Sequence, residues 1–432
     1  MKSNITSWSL VYVTFLVFIL SGHLVCIIVS AKHHRKNGKA VAPAPEPPAG
    51  NEYDGNSKIF NVLNYGAAGN GQSDDTSAFE KAWADACKVQ GSTTTMLVPD
   101  EHIFKLRPVS FPGKCQSNIV FQLDGTIISS TNPEDWESGD IKWLDFTTLK
   151  GLTIQGHGIV DGQGSNWWNE YTTTEDKLSG KPTALRVADS TNVKVTGITI
   201  QNSQQAHLKF DNCVGVDVSE ITISSPGDSP NTDGIHLQNS QTVAVYNSKI
   251  GCGDDAISIQ TGCSGINIHD VSCGPSHGIS IGSLGKDGTI ASVSDVTVRD
   301  SKISKSENGV RIKTWQGGSG SVKGVTFSNI QVTDVKTPIV IDQYYSQSQK
   351  NEEDKTSSNV AISGITFDSI TGDYLDLPMS VVCSGSVPCK GLIFSDIELK
   401  SSGENAAAPE CSNAYGVLKD GPTFKCLQSG NP

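Results

Sequence analysis

Asn231-Thr232-Asp233-Gly234, Gly253-Asp254-Asp255 and Ser276-His277-Gly278 decide the fold, because Asp233, Asp255 and His277 recur at one interval. Asp255 follows Asp233 by 22 residues, and His277 follows Asp255 by 22 again. A step of that size matches one coil of a parallel β-solenoid, in which successive turns of chain stack in register. Stacked coils lie roughly 4.8 Å apart, so residues one coil apart project side by side from one face. Taken singly, each motif reads as an Asp/Asn-Gly turn. A turn needs only one carboxylate, however, and three close together repel, a cost tolerated mainly at functional sites.

The flanking chain agrees with stacked coils. Val193-Lys194-Val195 and Ile198-Thr199-Ile200, Val216-Asp217-Val218 and Ile221-Thr222-Ile223, Val243-Ala244-Val245, and Ile266-Asn267-Ile268 all alternate in side-chain character. That two-residue period belongs to strands with one buried face, and Gly, Asn, Asp or Ser closes each run. Similar runs extend from Leu152 to Phe394, with coil lengths expected from about 22 residues to the mid-thirties. The folded domain is expected over 57–432, as one all-β parallel solenoid. At its start Phe60-Asn61-Val62 reads as a first strand and Asn64-Tyr65-Gly66-Ala67 as a turn. Ser73-Asp74-Asp75-Thr76 reads as the acidic first turn of a helix with Ala78, Phe79, Ala82, Trp83 and Ala86 as its apolar stripe. Such a helix would cap the open end of the solenoid.

Before that domain, Lys2 and the apolar stretch Trp8–Val29, with Val29-Ser30-Ala31 behind it, read as a secretory signal peptide over 1–31, with a retained anchor as the alternative because the stretch is long for a signal. Residues 32–56, basic and then Pro/Ala-rich, read as an extended linker. Export suits the eleven cysteines: without Cys26 ten remain, an even number that suggests disulfides. Cys87–Cys115, Cys383–Cys389 and Cys411–Cys426 are the expected pairs, and connectivity among Cys213, Cys252, Cys263 and Cys273 is left open. No Cys-x-x-Cys or clustered histidine accompanies them, so neither a metal nor another cofactor is expected. A net charge of −12 argues against nucleic acid as a partner.

Asn231-Thr232-Asp233, Gly253-Asp254-Asp255, His277-Gly278 and Arg311-Ile312-Lys313, in this order, resemble the four signature motifs of the polygalacturonases of glycoside hydrolase family 28. Ser229–His236, Gly278–Gly285 and Gly309–Trp315 also resemble plant members, and the likeness runs from about Phe60 to Lys400. The resemblance implies a right-handed parallel β-helix with an open cleft and hydrolysis of α-1,4-linked galacturonan with inversion. It makes Asp254 the acid and Asp233 and Asp255 the pair that holds and deprotonates water, with His277 bonding the acid or the substrate. Asn231 and Tyr345 join the substrate-binding set, and pectin is the partner of a secreted, monomeric cell-wall enzyme. Arg311 and Lys313 share a strand face and would seat a substrate carboxylate against the repulsion of an acidic protein.

Four positions depart from the family pattern: Ala256 and Ser346 stand where cysteines are usual, Ser276 where a glycine is usual and Gln347 where an aspartate is usual. Cys273 then pairs with Cys252 or Cys263, or stays free, and Ser276 adds a side chain beside His277. Two rival functions stay open. A calcium-dependent lyase would need a carboxylate cage and an arginine base, and a pectin-binding protein would have lost its catalysis.

Overall fold

The computed structural model describes residues 58–116, 118–136, 142–170, 180–345, 358–404, 407–419 and 427–428. The signal peptide and linker expected over 1–56 lie outside the described residues, as do Ser346, Gln347 and Cys426.

Alternation of apolar and polar residues becomes stacking in the solenoid. Val193, Val216, Val243, Ile266, Val296, Val325, Ile365 and Leu392 occupy one register position in successive parallel strands. Two residues along, Val195, Val218, Val245, Ile268, Val298, Phe327, Phe367 and Phe394 form a second column. All sixteen side chains are buried, and burying one of this size contributes about 1.5–3 kcal/mol. The last three rings stack with centroids 5.2 and 4.8 Å apart. Between coils, Glu220, Asn247, Asp270, Asp300, Asn329, Ser369 and Asp396 all adopt positive φ at one turn position. Asn and Asp tolerate that region better than most residues, which is why they end so many of the runs.

The result is a right-handed parallel β-helix in which the strand pairings among the described residues are all parallel. Coil length departs from the expected range at its upper end. Ile154 lies beside Val195 and Val325 beside Ile365, each about forty residues on, because loops inserted at the turns lengthen these coils without disturbing the strands. The capping helix, Thr76–Lys88, buries Ala78, Phe79, Ala82, Trp83 and Ala86, and Trp83 Nε1 donates to the Pro112 carbonyl at 3.1 Å. Its first turn holds no acid, contrary to expectation. Asp74 and Asp75 precede it, and Asp75 instead accepts from the amides of Ala68 and Gly69 at 2.6 and 3.1 Å, tying down the preceding loop. Val62 likewise falls in a short 3-10 helix, Val62–Tyr65, after a strand Lys58–Asn61.

Cys87–Cys115 and Cys383–Cys389 are disulfides, and Cys411 is disulfide-bonded as well. Cys213, Cys252, Cys263 and Cys273 are free and buried. Burial pushes the Cys273 thiol up to about 12, so it stays protonated and inert. No helix among the described residues is long and apolar enough to cross a membrane.

Candidate active site

One sheet of eleven strands presents the functional side chains. Leu144, Leu185, Leu208, Ile235, Ile257, Ile279, Val310 and Ile339 line up along its inner face. One residue along, the outer face reads Asp145, Arg186, Lys209, His236, Ser258, Ser280 and Arg311. Alternation therefore turns an apolar stack inward and a polar stripe outward as far as Arg311, beyond which Val340 takes the outer position.

The aspartates enter at the edge of this stripe, just before strands Ile235–Gln238 and Ile257–Ile259 begin. Asp254 and Asp255 both project from a bent segment, as two adjacent carboxylates on one side require. The bend is enforced at Gly253, where a Cβ would stand 2.0 Å from the Ser229 carbonyl oxygen. One coil earlier, a Cβ on Gly234 would meet the Ala256 carbonyl oxygen at 2.4 Å, so the coils carrying Asp233 and Asp255 touch through backbone. The His207 amide donates to the Asp233 carbonyl at 2.8 Å, and the Gly234 amide to the Asp255 carbonyl at 2.9 Å.

Each carboxylate has a different partner. Asp255 is almost fully buried. It accepts from Arg311 Nη2 and Ser280 Oγ at 2.7 Å each, and from Lys313 Nζ at 2.9 Å. Asp254 Oδ1 accepts from the Asp255 amide at 2.8 Å and faces His277 Nδ1 at 3.2 Å, while Asn231 Nδ2 donates to its Oδ2 at 3.3 Å. The other ring nitrogen of His277 lies 3.3 Å from Glu307 Oε2. Asp233 Oδ2 meets His236 Nδ1 at 3.1 Å.

These surroundings set the charges. Burial, with the nearby charge of Asp254 and against the His236 hydrogen bond, raises Asp233 to about 6. Burial alone would raise Asp254 too, but the His277 hydrogen bond and charge, with Lys313, outweigh it and hold Asp254 at about 2. His277 is correspondingly raised, first by its bond to Asp254. In mildly acidic solution the resting site thus keeps one proton on Asp233 and one on His277.

All eight residues singled out in the sequence belong to one neighbourhood. Tyr345 ends strand Thr337–Tyr345, with Lys313 Nζ 5.3 Å above its ring and Trp315 packed edge-on at 5.3 Å. The carboxylate that Arg311 and Lys313 seat here is the protein's own Asp255. Ser276 does not crowd His277: its hydroxyl is buried, 3.0 Å from Ser306 Oγ, and accepts from the Gly278 amide. Asp254, Asp255 and His277 bring donor atoms within 4.8 Å of one another, as a metal site would. A divalent ion there would have to displace Arg311 and Lys313 from Asp255.

His236, Glu307, Ser280 and His207 escaped the sequence reading. His236 and Ser280 stand three residues after Asp233 and His277, which the 22-residue step could have exposed. Glu307 lies 30 residues after His277, in a longer coil that hides its register.

Residues 87–419 match the model of Glycosyl hydrolases family 28. The chain belongs to that family. This glycosyl hydrolase is 40% identical to a probable polygalacturonase of Arabidopsis thaliana, with 83% of its own chain and 82% of the relative's covered. A polygalacturonase of Persea americana is also 40% identical, over 84% of this chain and 78% of that one. In fold it resembles an exopolygalacturonase of Thermotoga maritima, with a TM-score of 0.71, 19% identity and coverage of 85% and 93%.

Proposed function

We propose that the enzyme is a polygalacturonase that cleaves α-1,4-galacturonosyl linkages in pectin with inversion, by aspartate acid/base catalysis. The carrying observation is that three clustered carboxylates are held by three different partners, so that their protonation states differ. Asp254, coupled to the proton-bearing His277, gives a proton to the leaving oxygen. Asp255, pinned by two cations and a hydroxyl, with Asp233 orients and deprotonates the attacking water. Asn231, Arg311, Lys313 and Tyr345 form the wall against which the sugar at the cut bond rests. We further propose that it is secreted and acts as a monomer on the cell wall.

The proton held by Asp233 favours a second reading, in which Asp233 is the donor and Asp254 the base. Comparison of Asp233→Asn with Asp254→Asn separates the two, since the donor's replacement removes the alkaline limb of the pH profile. Under either reading activity is bell-shaped with an optimum of roughly pH 4 to 6. In the second reading the alkaline limb is the loss above about 6 of the proton that burial keeps on Asp233. In the first it is the loss of the proton on His277 that Asp254 draws on. At low pH the ionised partner is neutralised. Reducing-sugar release from polygalacturonate across pH 3 to 9, with and without a chelator, checks this. Activity still rising at pH 8 and abolished by the chelator would instead identify a calcium-dependent lyase, and no release at any pH a non-catalytic binder.

A further inference from the structure

The cleft continues past the carboxylates into a cavity of about 510 Å³ bordered by Asn231, Asp233 and His236 on one side and by Lys209 and Lys286. Charge makes this cavity informative. The protein carries −12 overall, and its two cations nearest the aspartates, Arg311 and Lys313, are already bound to Asp255. Further along the stripe, Arg186 is held by Asp145 and Asp211 at 3.0 and 2.8 Å. A polyanion entering the cleft therefore meets committed charge almost everywhere.

Lys209 and Lys286 differ. Among the described residues neither ammonium has an ion pair or hydrogen bond. The carboxylates nearest Lys209 in its stretch of cleft are taken, Asp211 by Arg186 and Asp233 by His236. Lys209 is half-buried on strand Leu208–Asp211, in register with His236. Lys286 comes from the loop between strands Ile279–Leu284 and Ile290–Ser304, its Nζ 5.5 Å from the centre of the Trp315 ring. A cation over an indole is fixed in place while its donors stay available.

We infer that Lys209 and Lys286 form a second carboxylate seat, which binds the acid group of a galacturonosyl unit on the Asp233 side of the cut bond and makes the enzyme select chains unesterified there. Two uncommitted ammonium groups in one cavity suit a single carboxylate, and a methyl ester would remove the charge they recognise. The inference rests on a galacturonan being the substrate.

Lys209→Gln, Lys286→Gln and the double variant of the full chain test it, by calorimetric binding of trigalacturonate and by kinetics on polygalacturonate and on highly methyl-esterified pectin. Each single change should weaken trigalacturonate binding about 10-fold and raise KM on polygalacturonate alike, with kcat unchanged, and the double variant should lose more. On esterified pectin the variants should match the unaltered enzyme, and arginine at either position should restore most of the affinity. Unchanged binding of trigalacturonate, or equal losses on both polymers, would overturn the seat and leave the hydrolase reading intact. If the unaltered enzyme cleaves neither polymer, that reading falls by itself, and the binding measurement still decides the seat.

Discussion

Asp254→Asn is expected to give a folded protein that binds oligogalacturonate but turns it over about 10² to 10⁴-fold more slowly. The amide nearly matches the acid in shape, and its oxygen can still accept from the Asp255 amide, now 2.8 Å away. Only the Asn231 contact is lost outright, because an amide nitrogen cannot accept the hydrogen that Asn231 Nδ2 donates. The transferable proton is lost with it. A second readout follows from the charge: His277, raised chiefly by its bond to Asp254, should titrate lower in the variant by NMR. Near-normal turnover from a folded Asp254→Asn enzyme would end the donor assignment, whichever way the histidine moves.

Lys313→Met should lower stability by about 1–3 kcal/mol, because one oxygen of buried Asp255 loses its donor while Arg311 and Ser280 still hold the other. The Lys313 and Asp255 side chains are 7% and 3% exposed at 2.9 Å, so water cannot replace the lost ammonium. Arg311→Gln should behave alike, since Arg311 holds the other Asp255 oxygen. Both variants should also lose kcat, as Asp255 is no longer held in place by both cations. Combining Lys313→Met with Asp255→Asn should cost further stability, because Arg311, 2.7 Å from Asp255, is then left without its counter-ion. Denaturant unfolding of the three proteins measures this. A single variant within about 1 kcal/mol of the unaltered protein would mean that Asp255 is not an ion held by this pair.

Spacing and alternation made the solenoid legible, because both follow from geometry that every coil repeats. Asp233, Asp255 and His277 were brought together by the same fixed step, whereas Asn231 and Tyr345 entered only through the resemblance to the family. The use of Arg311 and Lys313 was not legible. A shared strand face says which way two cations point, but not that Asp255, 56 and 58 residues earlier, fills the space in front of them. Glu307 was hidden by variable coil length. The helix start was misjudged because an Asp before a helix can cap it or reach back to loop amides, as Asp75 does at Ala68 and Gly69.

The backbone contact at Gly234 and Gly253 limits how such a protein can change. Coils elsewhere in the chain absorb long insertions at their turns, so the ends of the cleft can be remodelled by lengthening or deleting loops. Between Asp233 and His277 there is no slack, since one extra residue would turn Asp255 away from its partners or drive a Cβ into a carbonyl oxygen. Drift by insertion and deletion is therefore confined to the flanks. The chemistry can change there only by substitution, while the reach of the cleft along a polymer varies freely.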